Sequence, residues 1–232
     1  MNTALLVFSL SSKKEQERKN LSFFSNQDKN SKIYDLLISR TREVAMKSGI
    51  DVLWFDESVQ RGKGFSERLT NAFSDAFEMG YENVISIGND CPDLSVNDLI
   101  NASYQVQEKG IVLGPATDGG VYLIGINNAL FNPSGFKELP WLKTNLFATI
   151  QQKLKDHNIG FYCLETHSDI DSKKDITCFI AHKPKSIFAR KLQNLLFRPK
   201  IQHANLYQSF KSAFYIYHLP LRAPPAKLKS FQ

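Results

Sequence analysis

The chain has 232 residues, is 42% hydrophobic and 22% charged, and carries a formal net charge of +6. A chain of that size and composition suits one globular α/β domain, or one domain with an appendage, that buries roughly 70–75% of its unfolded surface without staples. Three scattered cysteines, Cys91, Cys163 and Cys178, argue against a disulfide framework or a zinc site. The apolar run Ala4–Phe8 is too short for a signal peptide or a membrane span, so the protein reads as cytoplasmic.

Ala4 to Leu10 reads as a first, buried strand. Ser11 to Lys32 is polar and gives no apolar period. Helical spacing begins at Ile33, runs through Leu37, Val44 and Met46, and stops at Gly49. Val52–Phe55 is a second strand. Gln60 to Arg68 is a loop leading into a helix with Leu69, Ala72, Phe73, Ala76 and Phe77 on one face, ending at Gly80. Asn83–Ile87 is short and β-branched, as a buried parallel strand tends to be. Ser95 caps a helix from Val96 to Glu108, with Asp98 completing an imperfect capping box. Ile111–Pro115 and Val121–Ile126, joined through Asp118-Gly119-Gly120, look like a hairpin. Leu139-Pro140-Trp141 precedes a helix from about Asn145 to Asp156, and Gly160–Leu164 is a last strand. Asp171 or Ser172 then caps a short helix. This order implies right-handed crossovers and a mostly parallel sheet with helices on both faces, a three-layer α/β/α class with a β-hairpin-like insertion.

Asp90 falls where the third strand gives out, after Gly88, and Pro92 prevents the strand from continuing. A carboxylate at the C-terminal end of a parallel strand points into the crevice where open α/β sheets hold their ligands. A hard oxygen ligand there suits Mg2+ or Mn2+ carrying phosphate. Gly119 and Gly120 open a bare backbone beside a ligand. Each aspartate also has a plainer role, as turn former or helix cap, and Trp141 as a core residue. The five histidines share no spacing. Cys91 reads as packing, with nothing beside it to favour a thiolate.

Five stretches in order make the chain resemble a bacterial family of GT-A-like glycosyltransferases, within the nucleotide-diphospho-sugar transferase superfamily and related to nucleotidyltransferases such as the molybdenum-cofactor guanylyltransferase. They are Gln60, Gly62, Arg68 and Leu69; then Gly88, Asp90, Pro92 and Leu94; then Gly114, Pro115, Asp118, Gly119, Gly120, Leu123 and Gly125; then Leu139 to Trp141; and last Asp169, Asp171 and Asp175. The resemblance covers roughly Val52 to Ile180. The family's glycine- and lysine-containing phosphate loop after the first strand is missing, because Ser11 to Asn20 holds no glycine. Lys14, Arg18 or Lys19 remain there as cations.

The resemblance implies a GT-A-like, Rossmann-like fold and glycosyl transfer from a nucleotide-activated sugar with a divalent metal. Asp90 and Asp171 would hold the metal. Gly62, Arg68, Gly88, Lys14 and Arg18 would serve the nucleotide, with Arg61 or Lys63 as further phosphate contacts. Asp118, Gly119, Gly120 and Trp141 would serve sugar or acceptor, with Asp118 also the base. A nucleotidyltransferase acting on a nucleoside triphosphate is one alternative. A catalytically impaired binding or scaffold protein, favoured by the altered first loop, is another.

Charge is uneven. Residues 183–232 hold ten lysines and arginines and no acid, leaving 19 basic and 23 acidic groups in residues 1–182. We therefore divide the chain into a transferase domain, 1–182, and a basic, aromatic extension, 183–232. In the extension, Ser186–Phe197 is amphipathic at helical spacing and Ser212–Leu219 is aromatic. Contact with anionic lipid, packing on the body, or a homodimer are its expected uses. No nucleic-acid recognition module is visible.

Overall fold

The computed structural model describes residues 2–22 and 27–197. Its strands are β1 (Thr3–Phe8), β2 (Asp51–Phe55), β3 (Asn83–Ile87), β4 (Ile111–Pro115), β5 (Val121–Asn127) and β6 (Tyr162–Cys163). They form one sheet in the order β2-β1-β3-β5-β4-β6. β1 pairs in parallel with β2 and β3, and β4 with β6, while β5 runs antiparallel to both β3 and β4. The hairpin is therefore not an appendage: its second strand lies inside the sheet. β6 is shorter than expected because only Tyr162 and Cys163 find partners, on Val112 and Leu113.

Alternation along the strands sends side chains to two cores. Leu5 and Val7 of β1 join Val44 and Ala45 of α2 (Gln27–Lys47) and Leu99, Ala102 and Val106 of α4 (Val96–Lys109). Leu6 faces the other way. It packs with Leu69, Phe73 and Ala76 of α3 (Gly64–Glu78), Phe136 of α5 (Pro133–Lys137) and Ile150 of α6 (Leu146–Asp156). A third cluster joins Ile33, Tyr34 and Leu37 of α2 to Ile176 of α7 (Lys173–His182) and Leu192 and Leu196 of α8 (Ile187–Phe197). The helix that opens the extension at 183–232 thus packs into the body, and one compact unit runs to Phe197. Ser212–Leu219 lies outside the described residues.

Two features differ from the sequence reading. Part of the polar stretch is helical: α1 spans Ser12–Arg18, and α2 starts at Gln27, before its first apolar residue. Ser11 caps α1 by accepting from Lys14 N at 3.4 Å, and its own N–H donates to Glu57 Oε2 at 2.7 Å. The capping box of α4 is complete, with Ser95 N donating to Asp98 Oδ2 at 2.8 Å and Asp98 N to Ser95 Oγ at 3.2 Å. Of the two candidate caps for α7, Ser172 is the one used, boxed with Asp175.

Candidate active site

A crevice of 670 Å³ opens at the C-terminal ends of β1 and β3. Asp90, just past β3, lines it. So do Asp169 and Asp171, which arrive from the segment between β6 and α7. One backbone bond fixes that meeting: Ile170 N donates to the Asp90 carbonyl oxygen at 2.8 Å. Further bonds fasten the segment, Thr117 N to His167 O at 2.9 Å and His167 N to Pro115 O at 3.1 Å, and the Tyr122 ring stacks on His167. Asp90 and the pair Asp169 and Asp171, more than seventy positions further along the chain, therefore face one space.

Electrostatics follow from that crowding. Burial, then the charge of Asp171, raises the Asp90 carboxyl above the usual carboxylate range. Burial, then Asp90, Asp118 and Asp171, raises Asp169 as well. Lys19 answers this charge by ion-pairing with Asp171. Burial works against its ammonium, but Asp171 and Asp90 prevail and its pKa is raised. Burial pushes the Cys91 thiol up, so Cys91 is packing and no thiolate.

Among the described residues, five buried side-chain polar atoms lack a hydrogen-bond partner, and four belong to residues lining this crevice: Ser9 Oγ, Arg68 Nε, Asn89 Nδ2 and Asp169 Oδ1. Buried polar groups normally find partners, so a concentration of orphans marks where a ligand supplies them. The orphans include a cationic donor and a carboxylate acceptor.

The crevice gathers Arg18, Arg68, Gly88, Asp90, Asp118, Gly120, Trp141 and Asp171 from the expected site. A Cβ on Gly88 would come within 2.8 Å of Asp90 Oδ1, so only glycine leaves that carboxylate its place. Asp118 is exposed and closes a turn by accepting from Gly120 N at 2.8 Å. Trp141 donates to Phe136 O at 2.8 Å and packs on Phe65, holding the rim as well as the core.

Other expected residues stand elsewhere. Lys14 is exposed and pairs with Glu17 at 2.8 Å. Gly62, at φ 125°, shapes the turn into α3 against Glu67 and does not line the crevice. Nor do Arg61, which pairs with Asp75, and Lys63, whose N–H donates to Glu67. Gly119 faces the Thr144 backbone and does not line the crevice. The sequence reading missed Ser9, Asn89 and the buried Glu15, which carry no spacing signal, and took Asp169 only as part of the acidic motif.

The chain has a GT-A-like fold. A proposed nucleotide-diphospho-sugar transferase from Desulfovibrio desulfuricans G20 matches it with a TM-score of 0.71 and 21% identity, over 84% of this chain and 94% of that one. The 4-diphosphocytidyl-2C-methyl-D-erythritol synthase of Anaerococcus prevotii DSM 20548 matches with a TM-score of 0.50 and 9% identity, over 79% of this chain and 96% of that one. Rv0371C of Mycobacterium tuberculosis H37Rv, solved in complex with manganese, has a TM-score of 0.48 and 11% identity, over 78% and 99%. A family model described as "Uncharacterized protein conserved in bacteria (DUF2064)" matches residues 37–143. That range includes Arg68, Asp90 and Asp118 and stops before Asp169 and Asp171. No curated protein matches. No helix among the described residues is long and apolar enough to cross a membrane.

Proposed function

We propose that this GT-A-like protein is a cytoplasmic transferase that moves a glycosyl group from a nucleotide-activated sugar to an acceptor hydroxyl, assisted by Mg2+ or Mn2+. The observation that carries the reading is the pair of buried, unpartnered atoms of opposite character in one crevice, Arg68 Nε and Asp169 Oδ1. A donor phosphate with its counter-cation is a ligand that satisfies both.

The donor set fits such a cation. Asp90, Asp169 and Asp171 line one crevice, and carboxylates suit a hard ion. Asp90 and Asp171 would hold it, and its bound water would satisfy the unpartnered Asp169 Oδ1. Among the described residues, no group of three or more His, Cys, Asp or Glu is placed to hold a metal ion by itself. Magnesium seldom needs one, because one or two carboxylates, water and substrate phosphate complete its shell. Bound there, the metal would neutralise charge on the departing nucleoside diphosphate. Arg18 and Arg68 hold the phosphates, and Trp141 walls the sugar side. Asp118 takes the proton of the acceptor hydroxyl as its oxygen bonds to the sugar carbon and the bond to diphosphate breaks.

A nucleotidyltransferase, akin to the molybdenum-cofactor guanylyltransferase, is the second reading, since the matched structures include a proposed sugar-nucleotide enzyme and a diphosphocytidyl synthase. The product separates the two. Incubation with sugar nucleotides and Mn2+ is expected to release free nucleoside diphosphate. Release of pyrophosphate from nucleoside triphosphates, with none of the former, would replace this reading by the second. Absence of binding to any nucleotide in calorimetry would leave a scaffold protein.

A further inference from the structure

We propose that Lys19 occupies the cation position of the acidic cluster in the ligand-free protein, and that it moves to the donor diphosphate when a divalent metal takes Asp171. Metal and nucleotide then bind cooperatively, each weakly alone. The inference rests on the function proposed above and adds a residue and an order to it.

The Lys19 main chain is held from two sides. Its carbonyl oxygen accepts from Asn30 Nδ2 and from Tyr34 Oη, each at 3.2 Å, and its N–H donates to Glu15 O at 3.0 Å. Asn30 and Tyr34 are buried on α2, and Asn30 Oδ1 is itself engaged by Leu21 N at 2.7 Å. This clamp sets where the lysine side chain starts. The side chain itself is 38% exposed, crosses to Asp171, and acts through its charge on Asp90 also.

The lysine and the metal therefore compete. A divalent ion on Asp90 and Asp171 would sit beside an ammonium that already neutralises one of them, and like charges at that distance repel. A flexible four-carbon stem lets the ammonium leave. The other carboxylates lining the crevice belong to the acidic cluster the metal would enter, apart from Glu15, which Arg18 already meets at 3.7 Å, so an ammonium displaced from Asp171 needs a new anion. The diphosphate provides one, and the first segment has no glycine loop to hold it instead. A lysine with a fixed root and a flexible stem exchanges partners at little structural cost.

Calorimetry on the full chain tests this with Mn2+ and inorganic pyrophosphate as probes. Pyrophosphate is expected to tighten Mn2+ binding to the natural chain by about tenfold or more. Lys19→Met is expected to bind Mn2+ alone about tenfold more tightly than the natural chain, and to lose the tightening by pyrophosphate. Lys19→Arg, which keeps the charge, should restore weak binding of Mn2+ alone. Equal Mn2+ affinity in Lys19→Met and the natural chain would overturn the proposal, as would Mn2+ binding that ignores pyrophosphate. Failure of both proteins to bind Mn2+ under any condition would instead remove the metal from the proposed function and this inference with it.

Discussion

Burial and the neighbouring Asp171 push the Asp90 carboxyl from an ordinary 3.8 up to about 6. The folded chain therefore holds this proton more tightly than the unfolded chain, and ionising Asp90 costs stability. Below about pH 4 both states are protonated and the cost is absent. It grows as pH rises through the window to about 6 and is complete above it. Asp90→Asn removes the charge but keeps the shape. We expect it to raise unfolding stability at pH 7.5 by about 1–3 kcal/mol, with the gain vanishing near pH 3.5. The same variant should lose metal-dependent nucleotide binding. Thermal melts at the two pH values check the first claim; a variant no more stable than the natural chain at pH 7.5 would show that Asp90 is well solvated. Opposite signs for stability and binding are what a carboxylate kept for a ligand should give.

Between β4 and β5 the chain turns through Asp118-Gly119-Gly120, and Gly119 at φ 89° joins this turn to the start of α6. Its carbonyl accepts from Phe147 N at 3.0 Å, and a Cβ there would overlap the Thr144 carbonyl oxygen. Gly120 is roomier, since its nearest contact would be Asp118 Oδ1 at 3.1 Å. Gly119→Ala is therefore expected to cost about 2–4 kcal/mol and Gly120→Ala under about 1 kcal/mol. Urea titration of both variants decides the matter, and similar losses would mean the Gly119–Thr144 contact yields easily. The sequence shows two glycines after an aspartate and cannot say which one meets a neighbour and which the crevice. Its legible parts were those with a local period or a local cap. β3 announces itself by β-branching, α3 by its apolar face and α4 by Ser-x-x-Asp, while the cap of α7 was legible only as Asp171 or Ser172. α1 and the first turns of α2 were hidden because what holds them is remote or polar: the Ser11–Glu57 bond, and Asn30 buried under Lys19. The place of β5 between β3 and β4 was hidden too, since a tight turn suggests a neighbouring pair but not which third strand inserts beside it. At the site, Asp90 was legible from its strand end. That Asp171 and Asp169 reach it depends on the Ile170–Asp90 backbone bond, which no spacing encodes.

The described body runs to Phe197, and its charge agrees with that limit: residues 1–197 hold 23 basic and 23 acidic groups, so the whole excess of six positive charges lies in residues 198–232. The basic groups between 183 and 197 belong to a segment that packs on the body. Lys183 pairs with Asp93 at 3.1 Å, Ala189 is buried, and Leu192 and Leu196 enter the core shared by α2 and α7. That core also contains Ile170, the residue between the two crevice aspartates. Chains ending at 197 and at 182 should therefore behave differently. The longer one keeps all three cores and is expected to unfold in a single transition and to bind nucleotide and Mn2+ as the full chain does. The shorter one loses two buried leucines at roughly 1.5–3 kcal/mol each, against a total of about 5–15 kcal/mol for a domain. It should also lose ligand binding, because Ile170 is left without its α8 packing and the segment carrying Asp169 and Asp171 loosens. Denaturant unfolding and calorimetry on the two truncations give the answer. A chain ending at 182 that is as stable and as competent as one ending at 197 would mean that α8 adds nothing to the site, and that the acidic segment is held by β4 and Asp90 alone.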